Sequence, residues 1–495
     1  MRLLASSLLI TLTCRAVDVA ARQTEIRVTG PLTGINMQTG AAPARMEISN
    51  MYAQGGPIWD LYVQALAELQ AVDESNELSY FQIMGAQTLV SHALNISLRY
   101  LGDDAPVYRT SAEKLRVAYW DWASNATLPE VVTLDTLDVN SPTGPMTIRN
   151  PFHSYHFQNF PFTIRYMDAG ILSTTDHTIR CPDAGGVDDV AAVFQNMETA
   201  HYQTSSFESP HNNVHNSVGC SNGTMYDLNW SAFDPVFMLH HANLDRLIAV
   251  WQAIYPDSKV FNITDFEDAL YGTAAGNVSA DTPLKPFYNQ DGSFHTSNSV
   301  RNISTFGYTY PELQLSNAEN AYVDPDDLAD FVRLKVNSLY SGEPVSYSTA
   351  RRPRSKRSLQ SRRPPSRKTW SVAISVEKAE LPLPATVGCY VDNSLVGKMA
   401  LLAVPATGIT HSTIPLDAAL LAASLDLACE DDVTQYLDQK LRFEVQQGDG
   451  TPIQINSMPS LELVVQDQDF TPRQSDREFP TYGPTNRHPW KVGGG

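Results

Sequence analysis

Apolar residues recur three and four apart in the first part of the chain and at alternate positions in the last part, so two kinds of structure are expected in order. In "PIWDLYVQALAELQA", residues 57 to 71, Trp59, Tyr62, Val63, Leu66 and Leu69 predict an amphipathic helix with one buried stripe. The period returns through Leu89, Ala93, Ile96 and Tyr100 of "QTLVSHALNISLRYL". A third helix is predicted in "DPVFMLHHANLDRLIAVWQAI", opened by Asp234 and Pro235. Each stripe needs a partner, and long Pro-, Asn- and Gly-rich stretches separate the three. A helical bundle wrapped in loops is the expectation for residues 22 to 345.

Beyond residue 369 the period becomes two. "TWSVAISVEK" alternates Trp370, Val372, Ile374 and Val376 with small or polar residues, the pattern of a half-buried strand, and "LRFEV" and "LELVV" continue it. The one helical stretch is short, near Leu416 to Leu427. A β-sandwich of roughly 100 residues is therefore predicted for 370–475, with a tail over 476–495. Between the two parts, residues 351 to 368 hold nine Arg or Lys, several prolines and no acid, which predicts a solvated linker over 346–369. Lys356-Arg357 offers a dibasic step to a processing protease.

Composition narrows the function classes. At 495 residues the chain is long for a single core, and 42% hydrophobic content is that of a globular protein. A net charge of −19 argues against nucleic acid as a partner. Residues 1–21, with Arg2 before an apolar run from Leu3 to Leu12, predict a secretory signal peptide, and no later stretch is long and apolar enough for a membrane span. Seven N-x-S/T sequons, at Asn95, Asn125, Asn222, Asn229, Asn262, Asn277 and Asn302, suit a secreted glycoprotein. Past the leader, Cys181 and Cys220 fall in one half and Cys389 and Cys429 in the other, which allows one bridge per half.

The candidate chemistry lies in "ESPHNNVHNSVG". His211 and His215 are four apart, on one face of a helix, and the segment holding His240 and His241 supplies a third imidazole. Three neutral imidazoles suit copper, zinc, iron or nickel, so ligand type alone leaves the metal open. No HExxH and no carboxylate at facial-triad spacing is present. Neighbours on a helix point about 100° apart, which implies that His240 and His241 do not both face one metal.

Together with "SAFDPVFMLHHANLDRLIAVWQ", "VAYWDWA", "FQIMG" and "FGYTYPEL", this region resembles the fungal tyrosinases, a type-3 copper family, over about residues 25 to 345. The resemblance implies copper, with His211, His215 and His241 as ligands of the second of two ions and His240 as a bystander. It implies Glu208 as a water-holding carboxylate and Asn212 as an activating amide. It also implies that Asp245 and Arg246 tie the metal helix to its surroundings, that Tyr308 and Tyr310 close the domain, and that the β domain covers the site until it is cut away. Two-electron reduction of O2 needs two Cu(I), hence six histidines. In the family the first three follow "FQIxG", whereas here "FQIMGA" runs directly into "QTLVSHALNISLRY". Ala86 and Gln87 look like the edges of an internal deletion; of His92, His153, His156, His177 and His201 upstream, only His153 and His156 have a ligand-like spacing, and their segment matches a non-ligand loop. The helix at Ala86 is then expected to lack its lead-in and to leave Trp59, Leu66 and Leu69 partly uncovered.

The implied function is hydroxylation of monophenols and oxidation of o-diphenols to o-quinones with O2, as in melanin-type pigment synthesis, in a secreted protein acting on small phenols or catechols. The missing first site puts that activity in doubt for this chain. The rivals are a catechol oxidase without hydroxylation, a haemocyanin-type oxygen carrier, and a single-copper or copper-free pseudoenzyme.

Overall fold

The computed structural model describes residues 27–83, 86–161, 175–181, 208–220, 223–259, 264–267, 274–315, 324–340, 367–403 and 406–488. The expected leader, His201, and the basic linker up to residue 366 lie outside these. The fold is mainly helical in its first part, followed by antiparallel sheets.

The helical part contains α1 (Ile48–Gln54), α2 (Pro57–Ala71), α3 (Tyr80–Ile83), α4 (Ala86–Ser97), α5 (Asp104–Lys114), a hairpin β1 (Thr136–Ser141) and β2 (Gly144–Arg149), α6 (Glu208–Gly219), α7 (Pro235–Ile254), a short pair β3 (Asp265–Glu267) and β4 (Gly276–Val278), and α8 (Pro325–Tyr340). Helix α2 has the predicted bounds, with Pro57 in its first turn, and its five stripe residues are all buried. Helix α4 starts at Ala86, one residue before the expected start. The predicted exposure of α2 is not found: Trp59, Leu66 and Leu69 are 4%, 8% and 2% exposed. Helices α4 and α5 pack against α2, and Phe152 stacks on Trp59 at 5.9 Å and on Tyr62 at 5.4 Å, so neighbours beyond the junction supply the cover.

Helix α7 is opened as its sequence predicts. The Asp234 carboxylate accepts from the Val236 N–H at 2.9 Å and is itself held by buried Arg180 at 2.7 Å. Arg180 also donates to the carbonyls of Val132 and Phe152, tying three segments to the start of this helix. The adjacent Cys181 is bridged to Cys220, just past the end of α6. The second bridge that the sequence allows does not form, because Cys389 lies inside the β domain and Cys429 on its surface.

The β domain comprises β5 (Arg367–Glu377), β6 (Ala385–Val391), β7 (Ser394–Leu401), β8 (Ile409–Pro415), α9 (Asp417–Ala422), α10 (Glu430–Lys440), β9 (Leu441–Gln447), β10 (Pro452–Ile453), β11 (Glu462–Thr471) and β12 (Thr481–His488). Two four-stranded sheets, ordered β10-β9-β6-β7 and β12-β11-β5-β8, enclose a core that includes Trp370, Val372, Ile374 and Val376. The sequence boundaries shift at both ends. Strand β5 begins at Arg367, inside the expected linker, and β12 lies in the expected tail, paired with β11. Helix α10 was not anticipated, since only Val433 and Leu437 of its residues are buried, too few to raise a periodic signal.

The two parts meet along α6. Ser209 donates to the His411 carbonyl, Asn212 to the Ala400 carbonyl, Asn213 to the Lys398 carbonyl and Asn216 to the Thr386 hydroxyl. These positions recur every three or four residues, so one face of α6 rests on the edge of the β domain. A second contact joins α8 to residues 476–479, where Asn337 donates to the carbonyls of Asp476 and Glu478 and Phe479 packs beside Val332.

Candidate metal centre

Helices α6 and α7 bring four imidazoles together. His211 and His215 stand one turn apart on α6, and His240 and His241 are neighbours on α7. One ring nitrogen from each falls within 4.8 Å of the others. His211 Nε2 lies 3.1 Å from His241 Nε2.

Three of the rings are oriented by acceptors at Nδ1. The Asn212 side-chain oxygen lies 2.7 Å from that of His211, the Met225 carbonyl 2.7 Å from that of His215, and the Phe237 carbonyl 2.8 Å from that of His241. An acceptor at Nδ1 fixes the proton there and leaves the Nε2 lone pair for a ligand. His215 Nε2 is buried without a hydrogen-bond partner, and so are both ring nitrogens of His240. Burial holds all four rings toward the neutral form. The pKa of His215 falls to about 3 through burial and the nearby His211 and His241, and that of His241 to about 4, mainly through burial. That of His211 is lowered by burial, against the pull of Asn212 and Glu208, and that of His240 is lowered well below its usual value by burial and the three neighbouring rings. Neutral imidazoles with free lone pairs and no carboxylate among them form a donor set that fits copper.

The supporting residues are also placed. Glu208 is exposed at the first turn of α6. Asn212 is buried between His211 and the β domain. Asp245 accepts from Tyr308 at 2.8 Å and from Tyr310 at 2.5 Å, and Arg246 pairs with Asp121 at 3.2 Å and Glu312 at 2.7 Å, so α7 is anchored about one turn beyond its histidines. His156 is not in the cluster; it groups with His177 and Asp176 elsewhere. His92 lies beside Glu68 at 3.4 Å. Sequence reasoning missed two things: that His240 joins the other rings, and that the Met225 carbonyl orients His215. The Phe237 contact was readable in principle, since residue 237 is one turn before residue 241.

Buried imidazoles facing one another across two helices of a bundle are a cluster that could hold a transition metal, and relatives identify the kind of protein. Residues 93–254 match the family model for the common central domain of tyrosinase, and residues 369–465 match the tyrosinase C-terminal domain. The chain belongs to the tyrosinase family, a type-3 copper family. Polyphenol oxidase 2 of Agaricus bisporus is 24% identical over 56% of this chain and 62% of its own length. Tyrosinase of Neurospora crassa is 25% identical over 61% of this chain and 56% of its own. The chain thus spans about three fifths of the length of these relatives. A recombinant mushroom tyrosinase structure aligns over 92% of this chain and 98% of its own, with a TM-score of 0.76 at 20% identity, which shows the shared fold.

Proposed function

We propose that this protein is a secreted copper oxidoreductase of tyrosinase type, that His211, His215 and His241 hold its second copper, and that the first site has been lost at the junction of Ala86 and Gln87. The observation that carries this reading is the orientation of those three rings, each with Nδ1 engaged by an acceptor, with Nε2 of His211 and His241 3.1 Å apart and Nε2 of His215 buried without a partner. The central-domain match starts at Ala93, beyond the junction, which agrees with a missing segment before it. The disulfide, the sequons and the leader-like start support secretion.

Copper held by these residues would supply one electron toward O2. In a product that keeps the first site, the pair would hydroxylate monophenols and oxidise o-diphenols to o-quinones. The chain's own residues prepare the surroundings. Asn212 would hold the proton on His211 Nδ1, and Glu208, one turn away, would take up a phenolic proton through water. The β domain rests on the neighbouring face of α6, through Ser209, Asn212, Asn213 and Asn216, which supports a covering role, and cleavage within 351 to 368 is the proposed means of release.

The test is metal content and turnover of the 495-residue chain. The expected result is one copper per chain and no quinone from catechol. Two coppers, or quinone formation, would refute the lost site. A transcript that carries extra codons between those for Ala86 and Gln87 would instead assign the loss to the gene sequence, and the restored protein should then oxidise phenols.

A further inference from the structure

We infer that His240 is a fourth ligand, and that the metal centre of this chain is a closed, four-imidazole copper site. The inference rests on the proposed copper site and changes its ligand set. The six distances between ring centres run from 4.7 to 5.3 Å: His211 to His215 4.7, to His240 5.1 and to His241 5.1, His215 to His240 5.2 and to His241 5.3, and His240 to His241 4.9 Å. Four points with six nearly equal separations form a tetrahedron, and by this measure His240 is indistinguishable from the other three.

The size of that tetrahedron is informative. With each nitrogen about 2.0 Å from an ion and each ring centre about 1.2 Å farther out, four imidazoles around one tetrahedral ion have centres about 5.2 Å apart. Packing of aromatic rings alone also gives separations of this order, so distance does not decide the matter by itself. The nitrogens do. His240 is completely buried, and neither of its ring nitrogens makes a well-formed hydrogen bond, although the His211 carbonyl lies close enough to favour a proton. Such a buried polar group is destabilising unless a ligand satisfies it, and simple packing would favour an apolar side chain. The 100° between neighbours on α7 does not separate the two rings, because both His211 and His215 of α6 lie within ring contact of each.

A three-ligand site keeps a position open for O2, whereas four ligands close it. The closed site would hold copper with that position filled, so O2 or a phenol would reach the metal only if one imidazole were displaced.

The experiment loads the full-length protein with Cu(I) without oxygen, under chelator competition, and reads the coordination number by X-ray absorption. The expected wild-type spectrum shows four nitrogen neighbours. His240→Gln should lose one of them and bind at least about 100-fold more weakly, as should His241→Gln. A wild-type spectrum with three nitrogens, or His240→Gln binding as wild type while His241→Gln fails, overturns the four-ligand site and leaves the three-ligand reading intact. No copper bound by the wild type, or unchanged binding by His241→Gln, overturns both. The wild-type spectrum decides even if a variant fails to fold.

Discussion

The helical part and the β domain each enclose an apolar cluster, but they bury different polar groups. In the helical part Arg246 is held by Asp121 and Glu312, Arg180 by Asp234, and four imidazoles face one another. These partners come from segments far apart in the chain. In the β domain the core is made by alternation along paired strands, and its fully buried carboxylate, Asp467, meets Lys368 at 2.6 Å and His488 at 2.6 Å from the neighbouring strands. The contrast separates two ways of holding a fold. Area and strand pairing sustain the sheets, while directional pairs position the helices that carry the metal centre.

The largest effects should fall on one part at a time. Arg246→Ala leaves two buried carboxylates facing each other and should cost the helical part about 3–5 kcal/mol. Trp370→Ala empties the centre of β5 and should cost the β domain about 3–5 kcal/mol. Hydrogen exchange read separately in α7 and in β5 checks both. Exchange that accelerates equally in the two elements for either variant would show a single cooperative unit and end the comparison.

Acid should separate the parts more gently. His215 and His241 have folded pKa values of about 3 and about 4, below the usual histidine value, and His156 is likewise lowered to about 4, mainly by burial. Between those values and about 6.5 the unfolded chain binds more protons, so stability rises with pH there and is lost as pH falls from about 6.5 toward 4. Asp467 behaves in the opposite sense. Its pKa is lowered, because hydrogen bonds from Lys368, His488 and Asn486 outweigh burial, so its contribution is present above about 3.9 and is lost only in stronger acid. Metal-free protein melted from pH 7 down to pH 5 should therefore lose its helical transition first; a β transition that falls first would contradict the assignment.

The smallest expected effect concerns the seam between the parts. A Cβ on Gly448 would stand 1.6 Å from the Tyr226 hydroxyl, which itself donates to the Pro384 carbonyl. Gly448→Ala should push Tyr226 aside at a cost of about 1–3 kcal/mol and speed exchange in α6 while leaving β5 protected. An unchanged α6 would mean that this contact does not hold the two parts together.

Periodicity and a few motifs were enough to place α2, α4, α7 and β5, because each carries its burial pattern within a dozen or so consecutive residues. The family, the copper and the one-turn spacing of His211 and His215 were also legible, since two residues one turn apart on a helix are a local fact. The cover over Trp59 was not, because Phe152 reaches it from a distant segment. Nor was β12, whose place depends on β11 and not on its own mostly exposed residues. His240 shows the limit most sharply. Sequence gives the angle between neighbours on one helix, but which rings meet depends on where a second helix crosses it, and only the packing of α6 against α7 sets that.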